Sequence, residues 1–159
     1  MADHVDRLLE QWAEQRPDLD VSPMGVIGRL SRLSRLVDLE LRRTFARHDL
    51  DGASFDVLAT LRRSGPLTPS ALMASSMITS GAVTQRVDRL AARGLVARTP
   101  SESDGRSFEI TLTDEGHALI DRALPDHVAT EHRLLSALSQ RERDELAATL
   151  RALLESLES

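Results

Sequence analysis

The chain has 159 residues, enough for one domain with a real core or two very small ones, and 20 basic against 25 acidic residues give a net charge of -5. All the basic residues are Arg, and Lys, Asn, Tyr and Cys are absent, which excludes a disulfide framework, a thiolate metal site and a cysteine nucleophile and fits a reducing, cytoplasmic address. At 41% hydrophobic and 28% charged the chain reads as globular; from the acidic, amphipathic ADHVDRLLEQ we expect no secretory leader, and from the short apolar runs no membrane partner.

Residues 3–15 read as a short helix, because Val5, Leu8, Leu9 and Trp12 recur at i, i+3, i+4 and i+7. The segment RPDLDVSP, 16–23, breaks it, and Ser22 stands where it can cap a long helix with Pro23 in its first turn. That helix is expected to reach about His48, carrying Val26, Leu30, Leu33, Val37, Leu41 and Phe45 on one stripe. DLDGAS, 49–54, reads as a loop, and a helix over roughly 54–64 buries Phe55, Leu58 and Leu61. Thr68-Pro69 opens a short helix over 69–75. Thr79 can cap the next helix, which runs through Arg93 and stops at Gly94. Leu95–Thr99 reads as a strand, 100–107 as a polar hairpin loop and Phe108–Leu112 as the returning strand. Thr113 caps a further helix, interrupted or bent near Pro125, and a last helix from Ser139 carries Leu146, Leu150, Leu153 and Leu157.

Helix, short turn, helix and hairpin is the plan of a winged helix-turn-helix, mainly α with a small β-hairpin. We expect residues 49–113 to form it as a DNA-binding region, flanked by helical dimerisation segments at 1–48 and 114–159. The leucine seam of the last helix has little to cover it in one thin domain, which points to a homodimer. The alternative is that the seam packs on the long helix of its own chain.

Charge is unevenly placed. Residues 62–106 hold seven Arg against three acids, net +4, which leaves -9 for the rest of the chain. A basic segment in an acidic protein marks a local polyanion site rather than a sticky surface. On the helix ending at Gly94, Val83, Val87 and Leu90 share one face. Gly81, Gln85 and Asp88 lie opposite them, with Thr84 and Arg89 on the flanks. Small and hydrogen-bonding residues suit entry into a major groove about 12 Å wide. There Gln85 can pair with adenine, Thr84 with a thymine methyl or a phosphate, and the free N–H groups near Thr79 and Ser80 with a phosphate. Arg106 at the hairpin tip suits a narrow, electronegative minor groove, with Asp104 placed to hold it or the turn.

Thr79 to Gly94, then Leu95-Val96-Ala97-Arg98, Asp104-Gly105-Arg106 and Leu112-Thr113-Asp114-Glu115-Gly116 together resemble the MarR (multiple antibiotic resistance regulator) family over about residues 22–157. The resemblance implies a homodimer joined through its terminal helices, which binds pseudo-palindromic double-stranded DNA as a transcriptional regulator, usually a repressor. Trp12 in an extra N-terminal helix, Asp56, Arg86 and Arg98 are together similar to the urate-responsive branch of that family. They imply a pocket for a small anionic effector such as urate, in which Asp56 holds Arg86 until the anion competes for it. The helical wheel puts Arg86 on the inner flank of its helix but puts Asp56 opposite Phe55, Leu58 and Leu61. Arg98 can serve the effector or a phosphate.

No metal or cofactor site is expected, because His4, His48, His117, His127 and His132 are scattered and none sits at i, i+4 from another. A zinc-sensing branch of the family leaves room only for a site built from carboxylates and distant histidines. No Gly-rich phosphate loop, nucleophile elbow or paired-carboxylate context is present, so the chain is not expected to be an enzyme. The competing reading is a winged-helix module that binds a protein instead of DNA. Gln85, Arg89 and Arg106 favour DNA, since a protein-binding wing more often exposes aromatic or aliphatic anchors.

Overall fold

A computed structural model of the chain describes residues 2–76, 80–100 and 108–159, the side chains of 80–83 excepted. The elements run α1 (His4–Gln15), α2 (Ser22–Ala46), α3 (Gly52–Ser64), α4 (Pro69–Ser75), α5 (Ser80–Ala92), β1 (Val96–Pro100), β2 (Phe108–Leu112), α6 (Asp114–Leu134) and α7 (Gln140–Glu158). They form two compact units, Met1–Leu41 and Arg42–Ser159, with the boundary inside α2. Among the described residues, no helix is long and apolar enough to cross a membrane.

In the first unit Asp3 caps α1. Its carboxylate accepts from the N–H groups of Val5 and Asp6 at 2.7 and 2.9 Å, and Asp6 accepts from the N–H of Asp3 at 2.8 Å. Arg29 of α2 donates to both acids, at 2.9 Å to Asp3 and 2.6 Å to Asp6. Ser22, expected to cap α2, is already its first residue, and the Asp20 carboxylate takes the Ser22 N–H at 2.9 Å instead.

The second unit is built around α3, which packs on α4, α5, α6 and β2. Val57, Leu58 and Leu61 of α3 are buried with Leu72, Val87, Leu90, Ile110 and Ile120. Phe45 stacks on Phe55 at 4.4 Å, and the His127 ring lies 4.6 Å from Phe55. Helix α3 starts two residues before the expected position. Asp51 is its N-cap and accepts from the Ser54 N–H at 2.8 Å, so part of the expected 49–54 loop is helix. Before it, α2 ends in a Schellman motif with Asp49 at φ +53°. The Leu50 N–H reaches the Phe45 carbonyl at 3.1 Å and the Asp49 N–H that of Ala46 at 3.2 Å, which buries Leu50.

Thr68 caps α4 through the Ala71 N–H at 3.2 Å, as expected from Thr68-Pro69. A second Schellman motif closes α5, with Gly94 at φ +70° and Leu95 N–H donating to the Leu90 carbonyl at 3.0 Å. The hairpin is antiparallel, from Val96 opposite Leu112 to Pro100 opposite Phe108, and Leu67 bridges to Ile110 on the outer edge. Helix α6 runs through Pro125 without the interruption that was one of the two outcomes expected there. Proline forfeits one backbone hydrogen bond, and the burial of Leu119, Ile120 and Ala123 before it and Thr130 after it holds both halves. Helix α7 starts from a capping box between Ser139 and Glu142 and has no buried residue; Leu146, Leu153, Leu154 and Leu157 are all exposed.

Candidate nucleic-acid interface

Helix α5 turns Val87 and Leu90 into the core, at 2% and 0% exposure, as the wheel requires. Thr84, Gln85 and Arg89 are exposed, and so is Asp88. Ser80 opens the helix but its side chain is not described, and Thr79, Asp104 and Arg106 lie outside the described residues. The described part of the expected DNA face is thus a band of hydroxyl, amide and guanidinium groups on a helix anchored from behind.

Charged groups hold the two flanks of α5. On one flank the Arg86 guanidinium donates to the Asp51 carboxylate at 2.5 Å, and the Arg86 side chain is only 17% exposed. Two turns further on, Arg93 donates to the backbone carbonyl of Asp49 at 2.8 Å. On the other flank Arg98 of β1 donates to Asp88 at 2.5 Å, with its guanidinium 5.4 Å from the centre of the Phe108 ring. Burial pushes the Asp51 carboxyl up, but the Ser54 N–H and hydroxyl and the Arg86 charge outweigh it and hold the group below the usual carboxylate range.

The ion pair on Arg86 is made by Asp51; Asp56, expected from the sequence to hold Arg86, lies half-buried in the next turn of α3. Arg98 is exposed and paired with Asp88, and it lines a cavity of about 150 Å³ with Pro69, Met73, Thr84, Val87 and Phe108. One residue expected to touch DNA and one expected to touch effector therefore share the notch between α4, α5 and the hairpin base. In the first unit Trp12 is 43% exposed and lines an apolar groove of about 510 Å³ with Leu8, Met24, Ile27, Arg32 and Arg35. Sequence reasoning missed Asp51 and Arg93. The Asp51-x-x-Ser54 spacing of an N-cap was the available signal for the first, while nothing local marks a side chain bound to a carbonyl 44 positions away.

The Leu-Thr-x-x-Gly run forms a joint under this interface. The Thr113 hydroxyl donates to the Gly94 carbonyl at 2.6 Å and accepts from the Gly116 N–H at 3.1 Å, while the Thr113 N–H donates to Leu95 at 3.2 Å. One threonine thus ties the end of α5, the hairpin and the start of α6 together.

A helix-turn-helix core, an outward polar face on its second helix and a flanking hairpin define a winged helix-turn-helix protein. Residues 48–107 match the model of the MarR family. Over 149 residues the chain is 46% identical to the HTH-type transcriptional regulator PecS of Dickeya dadantii, covering 92% of this chain and 90% of that one. It is similar in structure to Sco3205 of Streptomyces coelicolor, a MarR family transcriptional regulator solved in complex with DNA, with TM-score 0.79, 25% identity and coverage of 87% and 93%. It is also similar to BpsR of Bordetella bronchiseptica, whose DNA binding is described as regulated by 6-hydroxynicotinic acid, with TM-score 0.74, 26% identity and coverage of 80% and 91%. The chain belongs to the MarR family of transcriptional regulators, and these relatives are regulators rather than enzymes.

Proposed function

We propose that the protein is a homodimeric, ligand-responsive repressor that places α5 of each protomer in successive major grooves of a pseudo-palindromic operator. The observation that carries this reading is the exposed Thr84, Gln85 and Arg89 band on a helix that buries Val87 and Leu90 on its opposite side; Val83, expected beside them, lies outside the described side chains. Thr79 and Ser80 would meet phosphate at the start of α5, and Arg106 would enter the adjacent minor groove. The DNA-binding region would be 49–113. The apolar faces left open on α2 and α7, Val26, Leu33 and Leu36 on the one and Leu146, Leu153 and Leu157 on the other, support 1–48 and 114–159 as the dimerisation region.

The effector in this reading is a small planar anion such as urate, with Arg86 as its charged donor and with Trp12, Asp56 and Arg98 as further residues on which the response depends. The Arg86 Nε is buried without a hydrogen-bond partner in the described structure, so this guanidinium has a donor to give a competing anion. The regulation described for BpsR supports a small organic acid as the class. A mobility shift with the DNA flanking the protein's own gene, at moderate salt, tests the DNA reading. A shift that random DNA competes away equally well would overturn it.

A further inference from the structure

The turn between α2 and α3 is joined to α5 at two points. Arg86 and Arg93, the residue just past the end of α5, are seven residues apart, close to two full turns, so both project on the same side of the helix. Arg86 meets the Asp51 carboxylate at 2.5 Å and Arg93 meets the Asp49 carbonyl at 2.8 Å. The turn is a firm support. Asp49 and Leu50 are fixed by the Schellman hydrogen bonds, Asp51 by its bond to the Ser54 N–H at 2.8 Å, and His48 by the Asp126 carboxylate at 2.9 Å. We propose that residues 48–51 are the mount of the recognition helix, and that Asp51 and Arg93 are positioning residues for operator binding rather than DNA contacts.

Burial decides which attachment governs. The Arg86 side chain is 17% exposed and its Nε is unpartnered, so removing Asp51 strands a largely buried cation that reaches water only if α5 moves. The Asp88–Arg98 pair on the other flank is 55% and 47% exposed, and solvent replaces either partner at little cost. The angle of α5 is therefore set from the side of the α2–α3 turn. Because the Asp49 attachment uses a backbone oxygen, it depends on the left-handed conformation of that residue and on Arg93.

This inference rests on the DNA reading for its functional half, and sign separates it from an ordinary charge effect. Asp51→Asn keeps a good N-cap and the α3 helix but removes the charge that holds Arg86. Losing a negative charge raises affinity for any DNA if electrostatics alone acts. The mount instead predicts that Asp51→Asn weakens operator binding about tenfold while binding to random DNA does not fall. Arg93→Gln should weaken operator binding similarly, with an unchanged salt slope on random DNA, and Arg93→Lys should restore much of the loss. In the protein without DNA, hydrogen exchange of the α5 amides should speed up in both Asp51→Asn and Arg93→Gln. Unchanged α5 exchange overturns the mount, as does operator affinity that holds or rises in Asp51→Asn. A salt slope on random DNA that falls by about 0.9 in Arg93→Gln makes Arg93 a phosphate contact and overturns its positioning role. If the unsubstituted protein shifts no DNA, the DNA reading fails, and the exchange measurement still decides the mount.

Discussion

Gly116 lies so close to Leu95 that a Cβ on it would sit 2.0 Å from the Leu95 carbonyl oxygen. That carbonyl also accepts the Thr113 N–H at 3.2 Å, so neither chain can withdraw without opening the joint between α5 and α6. Gly116→Ala is expected to destabilise the fold by about 1–3 kcal/mol, as overpacking against backbone does. Thermal unfolding followed by circular dichroism checks this. Thr113→Val, which loses the cap and the bond to Gly94, should cost about 1 kcal/mol.

The homodimer is tested by mass. Light scattering at micromolar protein should return twice the 17.5 kDa of one chain. Leu150→Glu combined with Leu153→Glu should halve it, since Leu153 lies on the open face of α7. A single-chain mass for the unsubstituted protein refutes the assembly.

Groove reading has its own signature. Gln85→Ala should lose more affinity on the operator than on random DNA. Arg106→Ala should lose about 1–3 kcal/mol on the operator. Affinity should fall steeply with salt, by a log–log slope of about -0.9 per phosphate neutralised. Equal losses on both DNAs, measured by fluorescence anisotropy of labelled duplexes, count against base reading.

Acid should loosen the Asp51 attachment. The Asp51 carboxyl is held below its ordinary value in the fold, so its contribution is fully present above the ordinary carboxylate pKa and is lost as pH falls through the depressed value. With the Asp51 side chain 55% exposed, that contribution is under about 1 kcal/mol after screening. Denaturant titrations of the parent protein and Asp51→Asn should differ by that amount near neutrality, and the gap should close below about pH 4.

The effector reading predicts that urate or a related planar anion releases operator DNA. Trp12→Ala and Arg86→Ala should abolish the response, and Trp12→Ala should leave operator binding largely intact. Coupling of about 1–3 kcal/mol is expected, and by reciprocity operator should weaken anion binding by the same factor. With one Trp and no Tyr, Trp12 fluorescence reports the titration directly. No change in either signal at millimolar anion removes this effector.

Local grammar made most elements legible. Thr68-Pro69, Gly94, Thr113 and Ser139 mark caps and stops whose hydrogen bonds form in the structure. The 3.6-residue pattern identified Val87 and Leu90 as core and kept Arg86 off the outer face. Misreadings arose at an unread cap and where tertiary structure overrides local preference. Helix α3 begins at Gly52, inside the expected loop, because Asp51 caps it. Pro125 does not end α6, because buried residues on both sides of it carry the helix across. Asp51, which pairs with Arg86 across 35 positions, is the N-cap of α3 and lies outside the reach of helical periodicity.

The closed joint at Thr113 has a consequence for how such a protein diversifies. Gly94, Leu95, Thr113 and Gly116 shut the base of the hairpin, and the Leu67–Ile110 bridge clamps it again partway along. The base of the hairpin is therefore held by bonds that do not involve the segment joining β1 to β2, so lengthening that segment should cost little more than loop-closure entropy, about 0.6 kcal/mol for each doubling in length.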